Sequence, residues 1–278
     1  MRKLLSILAL ILSVTGCQKD FGEGEAKLVV DGYIDEGGSP VIFVSTTLPV
    51  SNKATSMSDI KDHLAIFGKI AITVDGQTSV MTATPKSKLL PPYEYTHYSI
   101  KGEAGKTYTI DVTYYDLHAS ATTTIPPKAE LDEIWYEPIN DSLYTIKARF
   151  TDREGTGDHY KFFAYTENET YLNYGSCLMG LLDDADFKDS TVETTIYKPV
   201  TMDTRTYSPY FKKGETAHIK FCTLDDASYE FWKGFESERL SSRIALLPSS
   251  TNIQHNIEGG LGLWAGYGAS YYTIHIPE

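Results

Sequence analysis

Two thiols, one run of carboxylates and two glycine-rich turns are the places where this sequence could do chemistry. Cys177 and Cys222 stand 45 residues apart. In an oxidising compartment they could pair, and a disulfide closing that interval would stabilise the fold by roughly 3–4 kcal/mol. Equally, each could be a small buried hydrophobe. Neither has the Cys-x-x-Cys spacing of a zinc site. Asp183-Asp184-Ala185-Asp186-Phe187-Lys188-Asp189 is the best calcium candidate. A helix–loop–helix calcium loop counted from Asp184 wants an oxygen ligand at 188, Gly at 189 and a bidentate Glu at 195. The chain has Lys188, Asp189 and Thr195, so the run reads as a solvated acidic loop. Gly105-Lys106-Thr107 ends like a phosphate loop, but Ile100 holds the position of its first glycine. Gly260-Leu261-Gly262 begins like a dinucleotide turn, but Ala265 takes the third position and a strand follows where a helix is needed. Both read as backbone geometry. No Gly-x-Ser-x-Gly elbow and no His-Glu-x-x-His occurs. A glycosidase carboxylate pair comes from distant positions, and 37 acidic residues do not single one out. The sequence therefore nominates no catalytic, cofactor-binding or metal-ligating residue.

A third thiol, Cys17, stands in a different setting. Arg2 and Lys3 precede an apolar run from Leu4 to Val14, broken only by Ser6 and Ser13. Eleven helical residues rise about 16 Å, roughly half a bilayer core, so the run is too short to span. Length and flanks fit a secretory signal. Val14-Thr15-Gly16-Cys17 resembles the bacterial lipobox, whose cysteine receives a diacylglyceryl group before the peptide is cut ahead of it. The expectation is a signal peptide over 1–16 and lipid attachment at Cys17. Residues 17–25 lack an apolar pattern and carry Gly22 and Gly24, as a flexible tether would. Lys19 and Asp20, with Glu23 and Glu25 behind them, look like the surface-export signal of Bacteroidota lipoproteins. A solvated charged linker is the plainer alternative.

The net charge is −12, and −14 once Arg2 and Lys3 are removed. Such a chain offers no electrostatic footprint for nucleic acid and no polybasic patch for anionic lipid. Acyl chains would have to hold it on a membrane.

The elements that must position any site are mainly strands. Leu28–Ile34, Val41–Thr46, Ile70–Val74, Thr78–Thr82, Tyr95–Ile100, Tyr108–Tyr114 and Ala119–Ile125 follow one another with turn signals between. Asp75-Gly76 marks a tight hairpin. This spacing predicts an immunoglobulin-like β-sandwich over 26–127. Pro126-Pro127 makes a stiff exit and a domain boundary. Beyond it, 128–278 reads as a second β-rich domain with strands near 144–150, 160–165, 192–197, 217–221 and 271–276. One late helix is predicted near 225–241. Thr223-Leu224-Asp225-Asp226 would cap it, and Ser228, Trp232 and Phe235 would share its inner face. The 20 tyrosines suit strands, and suit glycan or protein contacts as well.

The order of lipobox, first strand with Gly32, sandwich ending at Ile125-Pro126, second β-rich half, late helix and Asn256-Ile257-Glu258-Gly259-Gly260-Leu261-Gly262 resembles the domain of unknown function 4249 family of Bacteroidota lipoproteins. The resemblance covers nearly the whole mature chain and is most specific from Asn256 to Tyr272. It implies an outer-membrane lipoprotein facing the cell exterior, encoded beside TonB-dependent β-barrel receptors. It carries over no catalytic residue. The expected role is a non-catalytic binding accessory to such a receptor in nutrient capture, with the nutrient undefined. A surface hydrolase of glycan or peptide, or a structural or adhesive module, are the alternatives.

Overall fold

The computed structural model describes residues 26–47, 64–86, 93–153, 157–167, 173–187, 190–199, 207–241 and 253–278. The signal peptide, Cys17, Lys19 and Asp20 lie outside the described residues, as do Lys188 and Asp189.

The strands in chain order are β1 (Leu28–Asp35), β2 (Val41–Thr46), β3 (Lys69–Val74), β4 (Gln77–Val80), β5 (Thr82–Pro85), β6 (Tyr93–Thr96), β7 (Thr107–Tyr114), β8 (Leu117–Thr124), β9 (Glu133–Pro138), β10 (Leu143–Thr151), β11 (His159–Thr166), β12 (Gly175–Asp183), β13 (Thr191–Ile196), β14 (Phe211–Lys212), β15 (Thr216–Leu224) and β16 (Gly260–His275). The helix, α1, spans Asp226–Ser241. Asp75 and Gly76 both take positive φ between β3 and β4, the geometry of a tight hairpin turn.

One sheet of eight strands organises the molecule, in the order β12-β11-β15-β16-β1-β2-β6-β5. Two four-stranded sheets pack against one of its faces. The first, β4-β3-β7-β8, closes a core of Leu28, Val30, Ile42, Ile70, Ile110, Val112 and Trp264 among others. The second, in which β9, β13 and β14 pair with β10, closes a core that includes Ile146, Phe150, Phe162, Ile219, Phe221 and Ile274. Alternation explains the assignment. Along β1, Leu28, Val30 and Ile34 point into the first core, while Asp31, Tyr33 and Asp35 point to the opposite face. Along β15, Ala217, Ile219 and Phe221 point into the second core, while Lys220, Cys222 and Leu224 point away.

The fold is mainly β, as the sequence predicts, and the second half, expected only to be β-rich, packs as a sandwich too. The halves are not separate units, however. β16 runs parallel to β1, with Leu28 opposite Gly260 and Asp35 opposite Tyr267, and antiparallel to β15. The boundary expected at Pro126-Pro127 is therefore crossed by a continuous sheet, and the sandwich over 26–127 lacks a strand that the C-terminal end supplies. Trp264 shows the dependence. It is fully buried in the first core, and its indole N–H donates to the Tyr108 carbonyl at 2.9 Å. Gly32 lies opposite it in register, and a Cβ there would sit 3.0 Å from the indole ring. The connection through Ile125 and Pro126 passes over Gly266 and Gly268 of β16, where side chains would collide with its backbone.

The glycines that look like a nucleotide turn thus serve close backbone approach within a strand. Gly262 is the most constrained, with φ of +111° and a hypothetical Cβ only 1.8 Å from the Val30 carbonyl oxygen. We expect Gly262→Ala to cost about 2–4 kcal/mol in urea denaturation. Gly214→Ala, at φ +76° with open space around it, is the control and should cost about 1–2 kcal/mol.

The capping expectation for α1 is corrected by two residues. Asp225, not Thr223, caps the helix, because its carboxylate accepts from the Ser228 N–H at 2.8 Å. The Thr223 hydroxyl instead accepts from the Ala129 N–H at 3.2 Å, tying the inter-half connection to β15.

Candidate functional site

Helix α1 covers part of the second face of the large sheet, burying Tyr229 and packing Trp232 against Phe163 with ring centroids 5.2 Å apart. Beside the helix the same face opens into a cavity of about 160 Å³. Its floor comes from five neighbouring strands. β1 gives Asp31 and Tyr33, β2 gives Val41 and Phe43, β6 gives Glu94, β16 gives Tyr267 and β15 gives Lys220. Phe163, Trp232, Asn173 and Tyr174 close its sides.

Lys220 is the first unusual group. It is 3% exposed, and its ammonium donates to both carboxylate oxygens of Asp35, at 2.6 and 2.8 Å. Its charge also lies over the rings of Tyr33 and Tyr267, 4.2 and 4.7 Å from their centroids. Tyr271 donates its hydroxyl to Asp35 as well. Burial alone would strip the proton from this lysine. Asp35 outweighs it and holds the Lys220 pKa above the ordinary lysine value. The amine is a locked cation rather than a nucleophile or base.

The phenols are locked in the opposite sense. Burial pushes the Tyr33 and Tyr174 hydroxyls up to about 12, and that of Tyr267 well above its ordinary value. They present neutral rings and hydroxyls at neutral pH. Tyr267 accepts from the Trp232 indole N–H at 2.9 Å, which fixes both side chains at the cavity wall.

The carboxylates differ from each other. Glu94 is 7% exposed and paired with Lys86 at 2.9 Å. Asp31 has no hydrogen-bond or ion-pair partner among the described residues. Its side chain is open through the cavity, yet protein surrounds it deeply enough that burial pushes its carboxyl above the usual range. The cavity therefore combines aromatic walls, one compensated cation, one compensated carboxylate and one uncompensated carboxylate.

The residues singled out by sequence fall elsewhere. Cys177 and Cys222 are both free and buried. Cys177 packs in the core between the sheets and Cys222 on the helix-covered face, with β11 between their strands, so the pairing alternative is corrected. Burial pushes the Cys177 thiol up to about 12. The acidic run turns its carboxylates outward to different donors. Asp183 accepts from the Ala185 N–H and the Tyr229 hydroxyl, and Asp184 from the Gly157 and Asp158 N–H groups. Gly105 has φ of +81° in a turn, and Lys106 bridges Asp75 and Glu103. Sequence reasoning missed Asp31, Asp35, Lys220 and Tyr267. A signal existed in Ile219-Lys220-Phe221-Cys222 and in Tyr160-Lys161-Phe162-Phe163, where a lysine interrupts apolar residues on both sides. Lys161 is fully buried too and pairs with Glu236 of α1.

Among solved structures, a two-domain fibronectin type III segment of chicken tenascin is similar over 71% of this chain and 90% of its own, at 10% identity and a TM-score of 0.20. No curated protein matches the sequence. A family model matches residues 17–273. It spans the shared sheet from its first strand almost to its last, cavity included, and the chain belongs to the family described as Domain of unknown function (DUF4249).

Proposed function

We propose that this protein is a lipid-anchored, surface-facing protein of the outer membrane that binds a small ligand without transforming it, as an accessory to a TonB-dependent β-barrel receptor in nutrient capture. The observation that carries the binding reading is the cavity on the helix side of the sheet. Its aromatic walls suit a ligand, and its lysine is held protonated by Asp35. The anchor reading rests on Val14-Thr15-Gly16-Cys17, and the surface reading on Lys19 and Asp20. A tether of this kind would raise the effective concentration of the folded body beside a receptor.

The test is a mild-detergent pull-down from native membranes with a C-terminal tag. We expect a large β-barrel receptor to co-purify in fixed ratio, and the Cys17→Ser variant to leave the membrane fraction. Recovery of the protein alone, together with turnover of a polysaccharide or peptide, would replace this reading with a hydrolase.

A further inference from the structure

The polar groups of the cavity are unevenly compensated, and this asymmetry carries information about the ligand. Lys220 is neutralised by Asp35, with Tyr271 adding a third contact to the pair. Glu94 is neutralised by Lys86. Asp31 alone faces the cavity without a countercharge among the described residues. It projects from the middle of β1, between Phe43 of β2 and Leu263 of β16 in register, with Tyr33 two residues along the same face. Six rings surround it: Phe43 and Tyr174, over which no protein cation lies among the described residues, and Tyr33, Tyr267, Phe163 and Trp232, which Lys220 or Lys161 already approaches. A carboxylate set among aromatic faces has the chemistry of an organic-cation site, since ring faces and carboxylate attract the same charge.

We infer that the cavity takes the cationic head of a small organic ligand, an ammonium or guanidinium group, with Asp31 as its countercharge and the surrounding rings as its walls. This inference rests on the binding reading above and names the ligand class for it. A neutral polyol would use the rings but leave the Asp31 charge uncompensated. An anion would be repelled by Asp31 and would find Lys220 already taken by both oxygens of Asp35. The volume, about 160 Å³, is below the roughly 300 Å³ at which drug-sized pockets begin. It admits a head group while the rest of the ligand stays outside.

Two further properties of Asp31 follow. The protein packed around the cavity disfavours its charged form, although the side chain is exposed there, so an arriving cation would restore that form. Binding should then weaken as pH falls through the raised Asp31 pKa, which lies above the ordinary value of 3.8. The other titratable groups around the cavity are Glu94 from β6, Tyr33 from β1, Tyr267 from β16, Lys220 from β15 and Tyr174. The tyrosines and Lys220 keep their protons through that range. The raised Asp31 pKa also bears on stability. A carboxyl whose folded pKa is raised loses stability as pH rises from its unfolded pKa to its folded one. Asp31→Asn should therefore melt higher than wild type at neutral pH and lose that advantage in acid.

The experiment is isothermal titration of the full mature chain in detergent with choline chloride and with methylguanidinium chloride, using N-acetylglucosamine and sodium acetate as neutral and anionic controls. We expect saturable binding of at least one cation and of neither control. Asp31→Asn should weaken it roughly tenfold or more while raising the melting temperature, and Trp232→Leu should weaken it without changing its pH profile. Equal affinity in Asp31→Asn, or no binding of either cation, would overturn the inference. Tighter binding of the neutral sugar would overturn it while leaving the accessory reading in place, because receptor co-purification is measured separately.

Discussion

A chain cut after residue 127 is expected to remain unfolded, with collapsed amide dispersion and no cooperative thermal transition. The sandwich in residues 26–127 has seven strands by sequence, and on that ground it should fold alone. The structure removes two things from it. The first is the parallel neighbour of β1, which leaves the N–H and C=O groups along one side of that strand unpaired next to a hydrophobic core. The second is Trp264 with Ile257, both buried in that core. Loss of a buried tryptophan alone costs about 3–5 kcal/mol, a large share of the roughly 5–15 kcal/mol by which a domain is stable. Adding a separate 253–278 segment in trans should restore dispersion in part. A well-folded 26–127 fragment would show instead that β16 is an addition to a finished sandwich.

Replacing Lys220 with methionine is expected to cost about 3–5 kcal/mol in urea denaturation, because Asp35 is 6% exposed and would be left as a buried unpaired charge. An exposed ion pair would give less than about 1 kcal/mol. The double variant Asp35→Asn/Lys220→Met should recover much of the loss, since it removes the orphan together with its partner. If the single and double variants are equally unstable, packing against Tyr33 and Tyr267 rather than charge is what Lys220 contributes. Lys161 offers an internal comparison. Burial dominates there and pulls its pKa below the ordinary lysine value despite Glu236. It is the less securely charged of the two.

The local part of this fold was legible in the sequence because local rules decide it. β2 matches the predicted Val41–Thr46, the Asp75-Gly76 turn falls where two positive φ values are needed, and the helix begins within a residue of its predicted start. The strand expected over Thr78–Thr82 runs past the end of β4 and reaches only the first residue of β5, because nothing there announces the break at Met81. β9 carries no strand signal, because Glu133–Pro138 is largely exposed and follows a diproline without clean alternation. The long-range part was not legible. His218, Lys220 and Cys222 alternate with Ala217, Ile219 and Phe221, which reads as a strand with one wet face. On that face Lys220 is buried by Asp35 and by the rings of Tyr33 and Tyr267 from the neighbouring strands. Nor does any local feature of Asp31 or Asp35 tell that residue 220 or residue 271 will stand beside them; only the β1–β16–β15 pairing does that.

That pairing also fixes when the protein can become itself. Its first described strand waits for its last, with Leu28 meeting Gly260 across more than two hundred residues of intervening chain. Contacts of such sequence separation are slow to form, since the loop between them must be closed before they reward it. A chain emerging from the ribosome therefore cannot finish its central sheet until β16, Gly260–His275, has been made. Until then β1 has an open edge and the indole that fills the first core has not been made.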